Sequence, residues 1–292
     1  MNKKKIRTTI TLAADQFEDG SNRIIAEDLR TSCIIQFGGG AIVPHAHITI
    51  YGLSMDVMVK LTRIRWRDIT SLQNTIKVEA GEEGSELMTV YEGNITFGTI
   101  DMSNAPDVAF KIRSTSNAKQ LYSPDPPITF EGEKSVVEAI GELAARMGYI
   151  FDNNGVPDDL VMVDTTLVDS DLNKIKSLCK RYKIDLYAAT GYISIAPQGQ
   201  PLQGRVAVIA PDSGLLGYPV PTMQGIDFRT LFNPAVRFGP TVRVQDSLIT
   251  TANGNWRVFG VTVNIESEMP GGNWWMDVRA AHAEGNNAAI NR

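Results

Sequence analysis

The stretch WRVFGVTVNIESEMPGGNWWMDVRA, residues 256–280, predicts a long β-hairpin and is the part of the chain that decides the fold. Apolar residues recur at every second position before the turn, which is typical of a strand with one buried face. Pro270-Gly271-Gly272 supplies the turn between the two strands. The predicted apolar face comprises Phe259, Val261, Val263 and Ile265, and the opposite face carries Val258, Gly260 and Thr262.

Trp274 and Trp275 follow the turn directly. Neighbouring residues of a strand point to opposite faces of the sheet. We therefore expect one of the two rings in the core, and the other exposed, at or near a contact with another protein molecule.

Upstream of the hairpin, Asn233 precedes Pro234, which favours an extended Asn and predicts a sharp connection between strands. Residues 197–224 are rich in Pro and Gly and predict a long loop. Pro240 opens a predicted strand over 240–245. Together with the hairpin, these segments form a β-rich region at the C-terminal side.

The middle of the chain has a different pattern. Ser135 and Glu138 have capping-box spacing ahead of an apolar helical stripe, and Gly148 is placed to end that helix. A second predicted helix begins near Asp169 or Ser170, with Leu172, Ile175, Leu178 and Tyr182 on one face and lysines on the other. Residues 184–189 and 192–196 predict a β-hairpin around Thr190-Gly191.

The first third of the chain consists of short β-rich stretches, interrupted by one predicted helix over 54–61. Pro124, Pro126 and Pro127 mark a boundary. The predicted fold class is mainly β with a small α+β insert. The predicted parts are an N-terminal barrel-like domain (1–120), an α+β domain (121–198), a second barrel-like domain (199–284) and a flexible tail (285–292).

Charge and composition exclude several classes of protein. The chain has 28 Lys and Arg against 33 Asp and Glu, a net charge of −5, and no basic stripe for binding nucleic acid phosphates. No run approaches the roughly 18 apolar residues that a membrane span needs, and the N-terminus does not resemble a signal peptide. Cys33 and Cys179 are expected to be reduced and buried, in a protein synthesised in the cytoplasm.

No catalytic constellation emerges from the residue types available. The histidines are His45, His47 and His282, and no nucleophile elbow, zinc-protease helix or phosphate-binding loop accompanies them. His45 and His47 share one strand face, but a third metal ligand is missing, so packing or surface roles are favoured. The glycines at 38–40 are interpreted as a strand connection. We therefore predict no catalytic residue, no metal and no cofactor.

The order of several motifs resembles that of baseplate hub proteins of contractile-tailed phages, which are similar to late control protein D and to the base of type VI secretion spikes. The motifs are SVVEAIGELA (135–144), LNKIKSLC (172–179), YISIA (192–196), GLLGYPVP (214–221), GIDFRTLFNP (225–234), GPTVRV (239–244), GNWRV (254–258) and EMPGGNWWM (268–276).

This resemblance implies a homotrimeric ring with two tail-tube-like barrels in each subunit, located in the virion baseplate and assembled in the host cytoplasm. The implied partners are a tail tube or tube-initiator protein, a central spike protein, baseplate wedge proteins and a tape measure protein. DNA would pass through the lumen without specific binding.

Two other classes of function stay open at this stage. The acidic pairs Glu266/Glu268 and Asp158/Asp159, with the paired tryptophans, fit a cell-wall or carbohydrate-active enzyme. An OB-like nucleic-acid binder is the third class, and the acidic charge balance opposes it.

Overall fold

The computed structural model describes residues 3–38, 43–62 and 73–282. The chain divides into two compact units, one of residues 1–36, 44–119 and 262–276, and one of residues 37–43, 120–261 and 277–292. The described part is mainly β with a few helices, which confirms the predicted fold class. The division into 1–120, 121–198 and 199–284 stays a prediction, and the predicted flexible tail lies outside the described residues.

The elements are numbered in chain order. The strands are β1 Lys4–Thr11, β2 Arg23–Ala26, β3 Thr31–Gly38, β4 His45–Tyr51, β5 Thr75–Glu82, β6 Met88–Asp101, β7 Ala109–Thr115, β8 Ile128–Ser135, β9 Ile150–Asn153, β10 Val161–Leu167, β11 Ile184–Ala189, β12 Tyr192–Pro197, β13 Leu202–Ile209, β14 Leu215–Thr222, β15 Gly225–Leu231, β16 Pro240–Val244, β17 Gly254–Ser267 and β18 Trp274–His282. The helices are α1 Met55–Leu61, α2 Ala118–Tyr122, α3 Val136–Arg146 and α4 Asp171–Arg181, with a 3₁₀ turn at Thr250–Ala252.

In the first unit the strands follow the order β17-β3-β4-β7-β6-β5-β1-β2, where β17 contributes its C-terminal residues. Alternation builds its core: Ile76, Val78 and Ala80 of β5 are buried, whereas Lys77 and Glu79 between them are partly exposed. Helix α1 confirms the prediction over 54–61, with Ser54 at its N-cap position.

The second unit contains the order β14-β15-β18-β17, with β16 beside β17 and β13 beside β16. The predicted loop over 197–224 is wrong, because this stretch forms β13 and β14. Both strands lie at edges of this sheet, and β14 contains Pro219 and Pro221. An edge strand tolerates proline because one side of its backbone has no strand to bond.

Helices α3 and α4 belong to an α+β part of the second unit, with the sheet β11-β12-β9 and the ribbon β8-β10. The predicted cap at Ser135 and the predicted start of α4 near Ser170 are confirmed, since both serines accept a hydrogen bond from the third backbone N–H of their helix. The predicted lysine face of α4 is wrong at Lys174, whose side chain is fully buried. A nearby carboxylate and a backbone carbonyl satisfy its ammonium group, which a helical stripe cannot reveal.

The predicted apolar face of β17 needs one correction. Val261, Val263 and Ile265 are buried, but Phe259 is half-buried and Val258 is fully buried instead. Gly260 and Val261 are consecutive and both buried, so the buried positions change there from the even-numbered to the odd-numbered residues. Arg279 lies against Gly260, where a Cβ would stand 2.9 Å from its Nε, and its guanidinium is 5.7 Å from the centre of the Phe259 ring.

Cys33 and Cys179 are buried free thiols, as predicted. Burial raises the pKa of Cys33 well above its usual range and that of Cys179 to about 12, so both thiols stay protonated at neutral pH. In the described part of the chain, no helix has both the length and the apolar character needed to cross a membrane.

Candidate assembly site

The turn between β17 and β18 is organised by Glu266. Its backbone N–H donates to Asn273 O (2.8 Å), and its Oε2 accepts from Asn273 N (2.8 Å). Its Oε1 accepts from the Ser32 hydroxyl of β3 at 3.2 Å. Gly272 fits closely beneath it, because a Cβ there would stand 3.0 Å from Glu266 Cβ. This carboxylate therefore holds the predicted Pro270-Gly271-Gly272 turn in place.

Two lysines from the start of β1 reach the same turn. Lys3 Nζ lies 2.6 Å from Glu268 Oε1, and this hydrogen bond raises the pKa of Lys3. Lys4 Nζ donates to Gly272 O at 3.4 Å and stands 5.6 Å from the centre of the Trp274 ring. Because β17 and β1 lie towards opposite ends of the strand order in the first unit, the sheet curls until side chains connect its ends.

The paired tryptophans differ in burial. Trp274 is 6% exposed and belongs to the core, whereas Trp275 is half-buried. This difference agrees with opposite orientations of neighbouring strand residues. The contact expected for the second ring stays a prediction.

Asn233 and Pro234 follow β15 and form a tight turn. The Asn233 side-chain oxygen accepts from Ala235 N at 2.9 Å, and its backbone oxygen accepts from Val236 N at 2.9 Å. Arg237 Nε donates to Pro234 O at 3.2 Å. The turn directs the chain towards Phe238 and the strand β16.

The residues weighed for catalysis are not brought together. His45 and His47 lie side by side on β4, with ring centres 6.2 Å apart, and His282 packs edge-on against Trp256. Burial, Arg113 and His45 lower the pKa of His47. Across residues 3–38, 43–62 and 73–282, no group of three or more His, Cys, Asp or Glu side chains could hold a metal ion.

The remaining candidates have ordinary positions. Asp158 and Asp159 are exposed between β9 and β10. Gly38 ends β3, while the glycines at 39 and 40 lie outside the described residues. Both oxygens of Glu266 accept hydrogen bonds, and Glu268 pairs with Lys3. These two carboxylates therefore hold the hairpin.

A polar cluster that the sequence analysis missed lies in the second unit. Arg257 Nη1 of β17 donates to Asp185 Oδ2 (2.9 Å) and to the Tyr187 hydroxyl (3.2 Å), both on β11. Tyr187 packs against Phe238 with ring centres 4.8 Å apart, and burial raises its pKa. The sequence could have indicated this cluster, because Asp185 and Arg257 are charged residues within two otherwise apolar strands. The cluster ties the α+β part to β17.

Exposed apolar side chains occur in both units, and several of them lie on the edge strands of the second unit. Val206 and Val208 of β13 are 43% and 42% exposed, and Tyr218 and Val220 of β14 are 58% and 60% exposed. Met223, in the turn after β14, is also fully exposed. Apolar groups grouped on strand edges are typical of surfaces that meet other proteins.

The model of the family described as baseplate hub gp41 matches residues 6–274. No match to a curated protein was found. The fold is similar to that of the 43 kDa tail protein of prophage MuSo2 from Shewanella oneidensis, with 8% identity, 97% of each chain covered and a TM-score of 0.62.

Two further structures share the fold at low identity. The tail protein from Neisseria meningitidis MC58 is 9% identical, with 95% of this chain and 96% of that chain covered and a TM-score of 0.61. The E. coli c3393 protein is a component of the type VI secretion system with structural similarity to T4 bacteriophage tail proteins gp27 and gp5. It is 12% identical, with 88% of this chain and 74% of that chain covered and a TM-score of 0.61.

Proposed function

The chain belongs to the baseplate hub gp41 family and is a structural protein of a contractile phage tail baseplate, and from this premise we propose that three copies form the hub ring. The observation that carries the proposal is the family match over 6–274, nearly the whole chain. A trimer with two β-rich lobes per chain presents six lobes, so it can join a sixfold tube to a threefold spike.

The proposed lobes are the barrel-like domains 1–120 and 199–284, separated by the α+β domain 121–198. The curled sheet of the first unit, with Lys3 and Lys4 connecting its ends, supports a barrel-like lobe. Free edges on β13 and β14 leave the second unit with surface for neighbours.

The proposed partners are the tail tube or a tube-initiator protein on one side of the ring, the central spike on the other, and wedge proteins and a tape measure protein around them. DNA passes through the ring, which forms part of the conduit. The net charge of −5 supports passage without specific binding, because like charges repel.

We test the ring by sedimentation of the purified chain and by electron microscopy of the tails that contain it. The expected species has three times the mass of one chain, and the expected density is a threefold ring with six similar lobes. A chain that stays monomeric at every concentration and occupies no ring in the tail would contradict the proposal.

The proposed role includes no catalysis. The single observation behind this is that Glu266 and Glu268 act in holding the hairpin. Incubation of the purified chain with peptidoglycan should release no soluble fragments. Release that is lost on substituting one carboxylate, in a variant that still folds, would establish the cell-wall enzyme instead.

A further inference from the structure

The hairpin β14–β15 of the second unit has one buried face and one open face. Alternate residues of β15 pack into the core, namely Ile226, Phe228 and Thr230. The residues between them point to the open face. Arg229 pairs with Leu216 across the hairpin, and Asp227 pairs in the same way with Val220. Because register partners share a face, Leu216 and Val220 lie on the open face as well.

Exposed apolar side chains follow this open face along the hairpin. Leu216 and Val220 are exposed on β14, and Leu231 is exposed at the end of β15. The register shifts between Leu216 and Val220, and Tyr218, which lies in that irregular part, is exposed too. Met223 stands fully exposed in the turn. The apolar side chains therefore extend from the turn to the base of the hairpin.

The hairpin carries little charge. Among residues 215–231 only Asp227 and Arg229 are charged. Arg229 Nε lies 2.7 Å from Asp277 Oδ1 of β18, so this guanidinium has a counter-charge within the chain. Charged residues are depleted at the core of protein interfaces, and interfaces between copies of one protein are the more apolar ones. The open face therefore fits an apolar protein surface better than a nucleic acid or a charged segment.

A partner cannot easily extend the sheet at β14. Pro219 and Pro221 supply no backbone N–H, and proline in an edge strand is a common means of preventing strand addition. Contact through the open face of the hairpin is therefore favoured over contact through its edge.

The open face has the size of one side of a stable interface. A standard interface buries about 800 Å² on each partner, and roughly 60% of this area is apolar. Five exposed apolar side chains offer several hundred Å² of apolar surface, as much as the largest patch on a typical monomer. They supply most of the apolar area that such an interface needs.

We propose that the open face of β14–β15 is the surface with which one copy of this chain contacts the next. Its contact residues are Leu216, Tyr218, Val220, Met223 and Leu231. The inference rests on the proposed ring and names the surface that closes it. In a ring of three the contact is heterologous, so the open face meets a different surface of the neighbouring copy. Its low charge and its area fit a permanent contact between copies better than a transient partner.

The first test measures association of the full chain by sedimentation. Val220→Asp places a charge in the apolar contact and should raise the concentration needed for trimer formation at least about tenfold. Val168→Asp is the matched control, because Val168 lies outside the hairpin and is 65% exposed against 60% for Val220. The control should associate like the parent chain, and thermal unfolding checks that both variants are folded.

The second test keeps the apolar contact largely intact. Cys33 and Cys179 are buried, so Met223→Cys supplies an accessible thiol for a maleimide that carries benzophenone. Illumination of a mixture of isotope-labelled and unlabelled chains should join residue 223 of one copy to a peptide of the other isotope. Val168→Cys, labelled in the same way, should give no such product.

The outcomes distinguish this surface from the ring itself. A parent chain that forms a trimer equally well with Val220→Asp would overturn the surface and leave the ring intact. Cross-links from residue 223 only to its own chain, or to a different protein in assembled tails, would overturn the surface in the same way. A parent chain that stays monomeric at every concentration would contradict the ring and the surface together.

Discussion

Substitution of Asp171 by Asn should destabilise the α+β part of the chain more than any exposed charge change. Asp171 begins α4, where its Oδ1 accepts from Lys174 Nζ at 2.8 Å and its Oδ2 lies 3.1 Å from Arg146 Nε. The Lys174 side chain is 0% exposed, and Nζ also donates to Pro126 O at 2.7 Å. Asn would remove the carboxylate that this buried ammonium contacts.

The magnitude follows from the two partners separately. Removing one member of a buried ion pair costs about 3–5 kcal/mol, because the other charge is left without compensation. Loss of the Arg146 pair adds little, about 0–1 kcal/mol, because a third of that side chain is exposed. We therefore expect Asp171→Asn to lower the free energy of unfolding by about 3–5 kcal/mol.

Companion variants separate this cause from simple loss of a contact. Lys174→Met preserves volume and leaves Asp171 with Arg146, so it should cost about 1–2 kcal/mol through lost hydrogen bonds. Combined with Asp171→Asn, it removes the buried charge, and the double variant should be more stable than Asp171→Asn alone. Lys180→Met, exposed on the same helix, is the control.

The assay is denaturant unfolding, with hydrogen exchange of α3 and α4 to locate the effect. Additive costs in the double variant would refute the reasoning, since they would mean that Asp171 and Lys174 do not depend on each other. A cost below about 1 kcal/mol for Asp171→Asn would refute it as well.

Three further changes have defined outcomes. Burial raises the pKa of Tyr91 to about 12 from 10.0, so its neutral form favours the folded state, and that stability is lost as pH rises from about 10 to 12. Tyr91→Phe should remove up to about 3 kcal/mol of this loss of stability at alkaline pH. An unfolding free energy with the same pH dependence in variant and parent would contradict the role of Tyr91. Trp274→Ala should lower the free energy of unfolding by about 3–5 kcal/mol and unfold its lobe. Trp275→Ala should leave a folded chain whose association, measured by sedimentation, is weaker by about 2 kcal/mol. If both variants fold and assemble normally, neither role exists. Gly239→Ala adds a Cβ 2.6 Å from Leu202 Cδ1 at a φ of +107°, and should lower the melting temperature well below that of Gly199→Ala, where the space is open.

Local chemistry explains what the sequence could predict. Ser135 and Ser170 cap their helices because their hydroxyls lie next to the first free backbone N–H groups, a relation contained within four residues. The alternation of Ile76, Val78 and Ala80 shows which side of β5 is buried for the same reason. The order of such local patterns was also sufficient to identify the family.

What the sequence could not predict depends on residues distant in the chain. Pro219 and Pro221 are compatible with a strand because, among the described residues, β14 pairs with β15 alone, and pairing is a property of the whole sheet. Phe259 is half-buried because the buried face of β17 changes at Gly260 and Val261, and its ring lies near Arg279 of the neighbouring strand. The carbonyl of Pro126 that accepts from Lys174 lies 48 residues away.

The role of Glu266 in the candidate site also depends on residues outside its own stretch of sequence. Glu266 attracted a catalytic interpretation as a member of an acidic pair, yet its partners are Asn273 across the turn and Ser32 on another strand. A carboxylate whose two oxygens hold a turn is committed to one geometry, which suits a rigid structural part better than proton transfer to a substrate. Function in such a protein therefore resides in the surfaces that the internal bonds leave open.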